Sequence, residues 1–134
     1  MNTNWTKKTL RPSIFVSVTK ALSGDTDEDF KGVPLEDIAR GFWSVGDKAN
    51  RCELLWAVSE NTIVGVWEID RDFGWKNMYD KCIPTRKPVK IDPAKKFCKV
   101  FADKKIPEQA LVGHRLTEIE GMTPLAFPFK YSFI

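Results

Sequence analysis

Leu54-Leu55-Trp56-Ala57-Val58-Ser59-Glu60-Asn61-Thr62-Ile63-Val64-Gly65-Val66-Trp67-Glu68-Ile69 is the stretch whose reading decides the fold. Two strand-like apolar runs, 54–58 and 62–69, flank Ser59-Glu60-Asn61, a segment short enough only for a tight hairpin turn. Both runs are almost continuously apolar, so both faces of the hairpin are expected to be covered. Gly65 in mid-strand predicts a bulge or a close backbone approach. Trp67 follows it on the same face.

Working outward, Ser13-Ile14-Phe15-Val16-Ser17-Val18 alternates polar and apolar residues and predicts a first strand, followed by a polar loop. Residues 34–40 predict a short helix with Pro34 at its first position, Glu36 and Asp37 in its first turn and Gly41 just past its end. Residues 42–45 read as extended, and Asp47 as the cap of a second short helix over 48–52. Residues 76–96 carry Pro84, Pro88 and Pro93 and predict a long basic loop. Residues 97–101 alternate as another strand, 107–111 form a helical turn closed by Gly113, and 124–133 end as a strand or strap. Five or six strands with short helices predict a mixed α/β (α+β) fold: a small, partly closed β-barrel with helices at its rim. The 134 residues suffice for one domain, with residues 1–11 read as an N-terminal strap.

Composition narrows the function classes. Hydrophobic residues at 43% and charged residues at 29% describe a globular chain. No apolar run approaches the ~20 residues of a membrane span, and no signal-peptide pattern follows Met1, so a cytoplasmic location is expected. Cys52, Cys82 and Cys98 form no close pair, and His114 is the single histidine, so neither a structural zinc site nor a cofactor is expected. Cys52 and Cys98 adjoin apolar runs and read as small buried hydrophobes. A Cys82–His114 pair is left open by the residues, but nothing in their flanks favours it. Hydrolase and nucleotide-binding signatures are absent, so binding without chemistry is the expected activity.

Charge is unevenly spread. Residues 21–70 hold 11 acids against 4 bases, whereas residues 71–105 hold 11 bases against 4 acids. The second segment predicts a phosphate-facing surface, with Arg86, Lys87 and Lys90 as phosphate contacts. The acidic run Asp25-Thr26-Asp27-Glu28-Asp29 reads as an exposed loop facing away from nucleic acid.

Arg40-Gly41-Phe42-Trp43-Ser44-Val45, followed by the two strands quoted above, resembles the PUA-like superfamily. It is similar to the EVE and ASCH-type domains found with bacterial and phage nucleases, in which an Arg-Gly-x-Trp segment precedes strands ending in Ala-Val and Glu-Ile. More distantly it resembles the YTH readers of methylated adenine, with Trp43-Ser44 and Gly65-Val66-Trp67-Glu68-Ile69 in the matching places. Val112-Gly113-His114-Arg115-Leu116 and Pro128-Phe129-Lys130-Tyr131 resemble the closing segments of the nuclease-linked type. The likeness spans roughly residues 12–134 and departs from the family in the longer 76–96 connection and in the absence of an attached nuclease domain.

Five tryptophans sharpen the expectation. Trp56, inside an apolar strand, reads as core, and Trp5 as part of the surface strap. Trp67 reads as core first and as a pocket wall second. Trp43 and Trp75 have polar flanks and predict half-exposed rings that sandwich a flat base. The resemblance implies that Trp43 is the first wall of an aromatic cage and that Trp75 lies near the second. Ser44 and Asn50 would touch the base edge and Arg40 a phosphate. The expected function is a nucleic-acid-binding module, for DNA or RNA, that accepts a flipped and modified base. The alternative is a protein-interaction module, such as a phage-type inhibitor of host defence. A nucleoside hydrolase is a third reading, without a recognisable nucleophile.

Overall fold

The computed structural model describes residues 5–23, 32–41, 43–78 and 92–133. The acidic run 25–29, Phe42, Cys82, Arg86, Lys87 and Lys90 lie outside them.

The chain is a small mixed α/β protein centred on a four-stranded mixed sheet. Its strands are β1 (Ser13–Ser17), β2 (Leu54–Ser59), β3 (Thr62–Glu68) and, introduced last in the chain, β6 (Phe129–Tyr131). Two-residue strands β4 (Lys76–Asn77) and β5 (Lys96–Phe97) form a second ladder. The large sheet runs in the order β3-β2-β1-β6, with β1 parallel to β2 and the other pairs antiparallel. These pairings do not close into a barrel among the described residues. The β3 edge is extended instead by residues 99–101, through an Ile69–Val100 bridge and hydrogen bonds from Asp70 N–H to Lys99 O and from Phe101 N–H to Glu68 O.

The hairpin forms as its sequence requires. Glu60 and Asn61 both have positive φ, 48° and 68°, the two-residue turn that matches strand twist. The register shifts between Ala57 and Val58, which leaves Val64 as the extra residue of a bulge. Gly65 serves a second purpose: a Cβ there would collide with the benzo part of the Trp67 ring. Alternation along the strands then divides the apolar residues between two cores. Ile14, Val16, Leu55, Ala57 and Trp67 face one core, with Ile38, Ala39 and Cys98. Phe15, Leu54, Trp56, Val58, Ile63 and Val66 face the other, roofed by Ile106, Leu111, Leu116 and Ile119. Trp56 is fully buried, stacks on Phe15 at 5.0 Å and donates its indole N–H to Ser13 Oγ at 3.0 Å.

Several local expectations are refined. The polar loop after β1 begins as a helical turn, α1 (Thr19–Ser23). The predicted 34–40 helix is α2 (Leu35–Ala39), with Pro34 in the capping position; it packs against β2 and β3. The turn at Asp47–Arg51 is a 3-10 helix that starts after Gly46, so Asp47 is its first residue and not its cap. The 76–96 stretch is not irregular throughout, because its ends pair as β4 and β5, and the predicted 97–101 strand shortens to Lys96–Phe97. Residues 5–10 are docked: Thr6 bridges Glu120, Lys7 N–H donates to Glu120 O at 2.7 Å, and Trp5 packs half-buried against the second core.

One charged network crosses the molecule. Arg11 donates to the buried Glu108 carboxylate at 3.0 and 3.2 Å and to Glu68 at 3.3 Å, and Lys104 donates to Glu68 at 2.6 Å. The cations, Lys104 first and then Arg11, hold the Glu68 carboxyl below its ordinary range. Burial pushes the Cys52 thiol up to about 12 and the Cys98 thiol upward as well, so both are inert apolar fillers. Among the described residues no helix is long and apolar enough to cross a membrane, and no three His, Cys, Asp or Glu side chains cluster.

Candidate functional site

The second ladder places the candidate residues. Asn77 pairs with Lys96, and Lys96 on its other side pairs with Trp43. Trp43 N–H donates to Lys96 O at 3.0 Å and Lys96 N–H to Trp43 O at 2.9 Å, while Cys98 N–H donates to Arg40 O at 2.9 Å. Paired residues point to one face of a sheet, and so do residues two apart along a strand. Trp43, Lys96 and Asn77 therefore form a row across three segments, and Trp75 falls on the same face. Two strand spacings put Trp43 about 10 Å from Asn77, and Trp75, two residues along that strand, about 12 Å from Trp43. Cys98 and Val100, two and four residues beyond Lys96, pack with the first core, so the row runs from the edge of that core out to the exposed Asn77.

Both rings are half-buried and pack against that core. Their N–H edges are tied down: Trp43 Nε1 donates to Ala39 O at 2.7 Å and Trp75 Nε1 to Ala49 O at 3.1 Å. A tethered edge removes rotamer freedom, so the exposed part of each ring is presented in one orientation. The end of α2 holds the first ring, and the 3-10 turn at Asp47–Arg51 holds the second. That turn is anchored in its own right by Arg51, whose guanidinium lies over Phe133 at 4.5 Å.

Ser44 and Asn50 are exposed, Ser44 next to Trp43 and Asn50 next to the carbonyl that holds Trp75. Trp67 is buried over Gly65 in the first core. Arg40 is a brace. Its Nε donates to Asp37 at 2.7 Å, its Nη1 donates to Cys98 O at 3.2 Å, and its side chain is 13% exposed. It ties the end of α2 to the segment that carries Lys96. Arg86, Lys87 and Lys90 lie outside the described residues. A shallow cleft of about 390 Å³ is lined by Phe101, Ala102, Asp103 and Lys104, none of which belongs to this row.

Lys96 and Asn77 were not among the residues singled out from sequence. The signal for Lys96 was present: in Lys96-Phe97-Cys98-Lys99-Val100, the even positions share a face with a buried cysteine. What such a row offers is binding: two apolar rings, a cation beside the first of them, and amide and hydroxyl groups at the rim. Compared with protein-family models, curated proteins and solved structures, the chain has no significant match.

Proposed function

We propose that this protein is a nucleic-acid-binding module that takes one flat base, extruded from its stack, at the Trp43–Lys96–Trp75 row and performs no chemistry on it. The observation that carries the reading is the register that sets Trp43, Lys96 and Asn77 in one row, with half-buried Trp75 two residues from Asn77 on the same face. Extrusion costs a few kcal/mol, and stacking on aromatic rings offsets it at ~1–3 kcal/mol per base. Lys96 offers a donor to a base carbonyl or a neighbouring phosphate, and Asn77, Ser44 and Asn50 supply edge contacts. A methyl group on the base would add apolar contact against the rings. Arg40 acts as a positioning residue, and Arg86, Lys87 and Lys90 would add phosphate contacts along the basic segment. The reading includes the finer architecture expected from the PUA-like resemblance, a partly closed β-barrel, which is supported by the edge extension at 99–101 and the hydrogen bonds between 96–98 and 40–43. It also places the protein in the cytoplasm, with DNA or RNA as its partner.

The test is a fluorescence titration with single-stranded oligonucleotides, with and without a methylated base, against the wild type, Trp43→Ala and Trp75→Ala. Each variant should lose ~1–3 kcal/mol of affinity. Wild-type protein that binds no oligonucleotide at low salt sinks the reading.

A second reading, a protein-interaction module, is favoured by Phe127, 75% exposed, and Leu22, 51% exposed. They flank β6 and β1 at the same end of an antiparallel pair. Phe127→Ser would abolish such an interaction and leave nucleic-acid binding unchanged.

A further inference from the structure

We infer that Lys76 and Lys99, gathered over the ring of Phe73, form a phosphate-binding clasp on the face of the β4–β5 ladder opposite the tryptophan row. The inference rests on the nucleic-acid reading for its biological ligand, a phosphodiester backbone, but the clasp itself is defined by geometry. Lys76 Nζ lies 4.4 Å from the Phe73 ring centroid and Lys99 Nζ lies 4.6 Å from it. The two ammonium groups are therefore within about 9 Å of each other, comparable to the Debye length at physiological ionic strength. Their repulsion is only partly screened, and among the described residues neither meets a carboxylate. On the turn that carries Phe73, Asp70 Oδ1 accepts the backbone N–H groups of Asp72 and Phe73 at 3.2 and 3.3 Å, and Asp72 is exposed.

The ring is held in place. Gly74, with φ of +71°, closes the 70–74 turn by donating to Asp70 O at 3.2 Å. Phe73 also rests on the buried Phe97 at 5.5 Å, within a small core shared with Met78. Lys76 stands directly across the ladder from Phe97, and Lys99 is two residues beyond it. A rigid ring over which two cations gather, neither paired with a carboxylate among the described residues, suits one bridging phosphate group, which would meet both charges at once. Because the tryptophan row occupies the opposite face of the same two-residue ladder, a strand whose base enters the row could pass a neighbouring phosphate over the edge to the clasp.

Two ligands separate the clasp from the reading it rests on. Calorimetry with tripolyphosphate probes the clasp alone. The salt dependence of oligonucleotide affinity probes its use. The variants are Lys76→Gln/Lys99→Gln and, for the same charge change elsewhere, Lys8→Gln/Lys20→Gln, all four lysines being exposed. The clasp pair should weaken tripolyphosphate binding roughly tenfold, as loss of a charged hydrogen bond does. It should also flatten the slope of log K against log salt by about 0.7, the value for one neutralised phosphate on a single strand. The control pair should change neither by as much. Phe73→Leu, which keeps both lysines and the apolar contact, should fall between. Tripolyphosphate binding that the clasp pair leaves unchanged, or that the control pair weakens equally, overturns the clasp. Tripolyphosphate binding lost only in the clasp pair, with no oligonucleotide binding in any protein, upholds the clasp and refutes the nucleic-acid reading.

Discussion

The β2–β3 hairpin and the β4–β5 ladder use the same residue types to opposite ends. In the hairpin Trp56 is wholly enclosed, its N–H satisfied by a side-chain hydroxyl inside the core, and both strand faces are covered. At the ladder Trp43 and Trp75 keep part of each ring in solvent, their N–H groups are satisfied by backbone carbonyls, and lysines stand beside them. A long strand paired on both sides gathers enough neighbours to bury a large aromatic. A two-residue strand does not, and the aromatics beside it stay half-buried at a rim. The same ring thus fills a core in one region and, on the proposed function, serves recognition in the other.

Substitutions test how sharp that division is. Trp56→Ala has the largest expected effect, a loss of ~3–5 kcal/mol from cavity formation, with Ser13 Oγ losing the indole N–H it accepts while still donating to Arg11 O. Thermal melts of Trp56→Ala and Trp43→Ala side by side check it, and equal losses would erase the distinction between the two regions. Gly65→Ala comes next. Its methyl group would strike the Trp67 ring, and overpacking of this kind costs ~1–3 kcal/mol. A melt unchanged from wild type would mean that the ring moves aside freely. Trp75→Phe is smaller, ~0.5–1.5 kcal/mol for the hydrogen bond to Ala49 O. It should affect base affinity more than the melting temperature, and the reverse result would place Trp75 with Trp56.

Two further outcomes concern charge and thiols. Glu68 is held below its ordinary carboxylate range in the folded protein, so it binds a proton less readily there than in the unfolded chain. Its contribution is complete above the unfolded value and is lost as pH falls through the lowered folded value. The gap in melting temperature between wild type and Glu68→Gln should be open at pH 7 and close as pH falls below the ordinary carboxylate range. A gap independent of pH would remove the Arg11–Glu68–Lys104 network from the stability of the hairpin edge. The smallest effect is a null one. Cys52 and Cys98 should resist a thiol reagent at pH 8 in the native state and react after unfolding, because burial raises both thiols. Rapid native labelling of either would show that the first core opens.

Much of the sheet was legible in the chain because its signals are local. The apolar runs at 54–58 and 62–69, their short connection, the alternation at 13–18 and Gly65 with Trp67 two residues on all act within a few residues of each other. They led to the hairpin, the bulge and the buried Trp56. Pro34 and Gly41 bounded α2 within one residue for the same reason. The candidate site was only half legible. Polar flanks singled out Trp43 and Trp75 as rim residues, but they carry no information about which face each ring takes. That is set by pairings among 43, 76–77 and 96–97, segments far apart in sequence and too short to show a period. Arg40 was read from its neighbours as a phosphate contact, yet the carbonyl of Cys98, 58 residues away, claims its guanidinium. Strand propensity and hydrophobic alternation are properties of neighbours along the chain. The meeting of Trp43, Lys96 and Trp75, and of Phe73 with Lys76 and Lys99, depends on which backbone groups pair once the core has closed, and only the tertiary structure decides that.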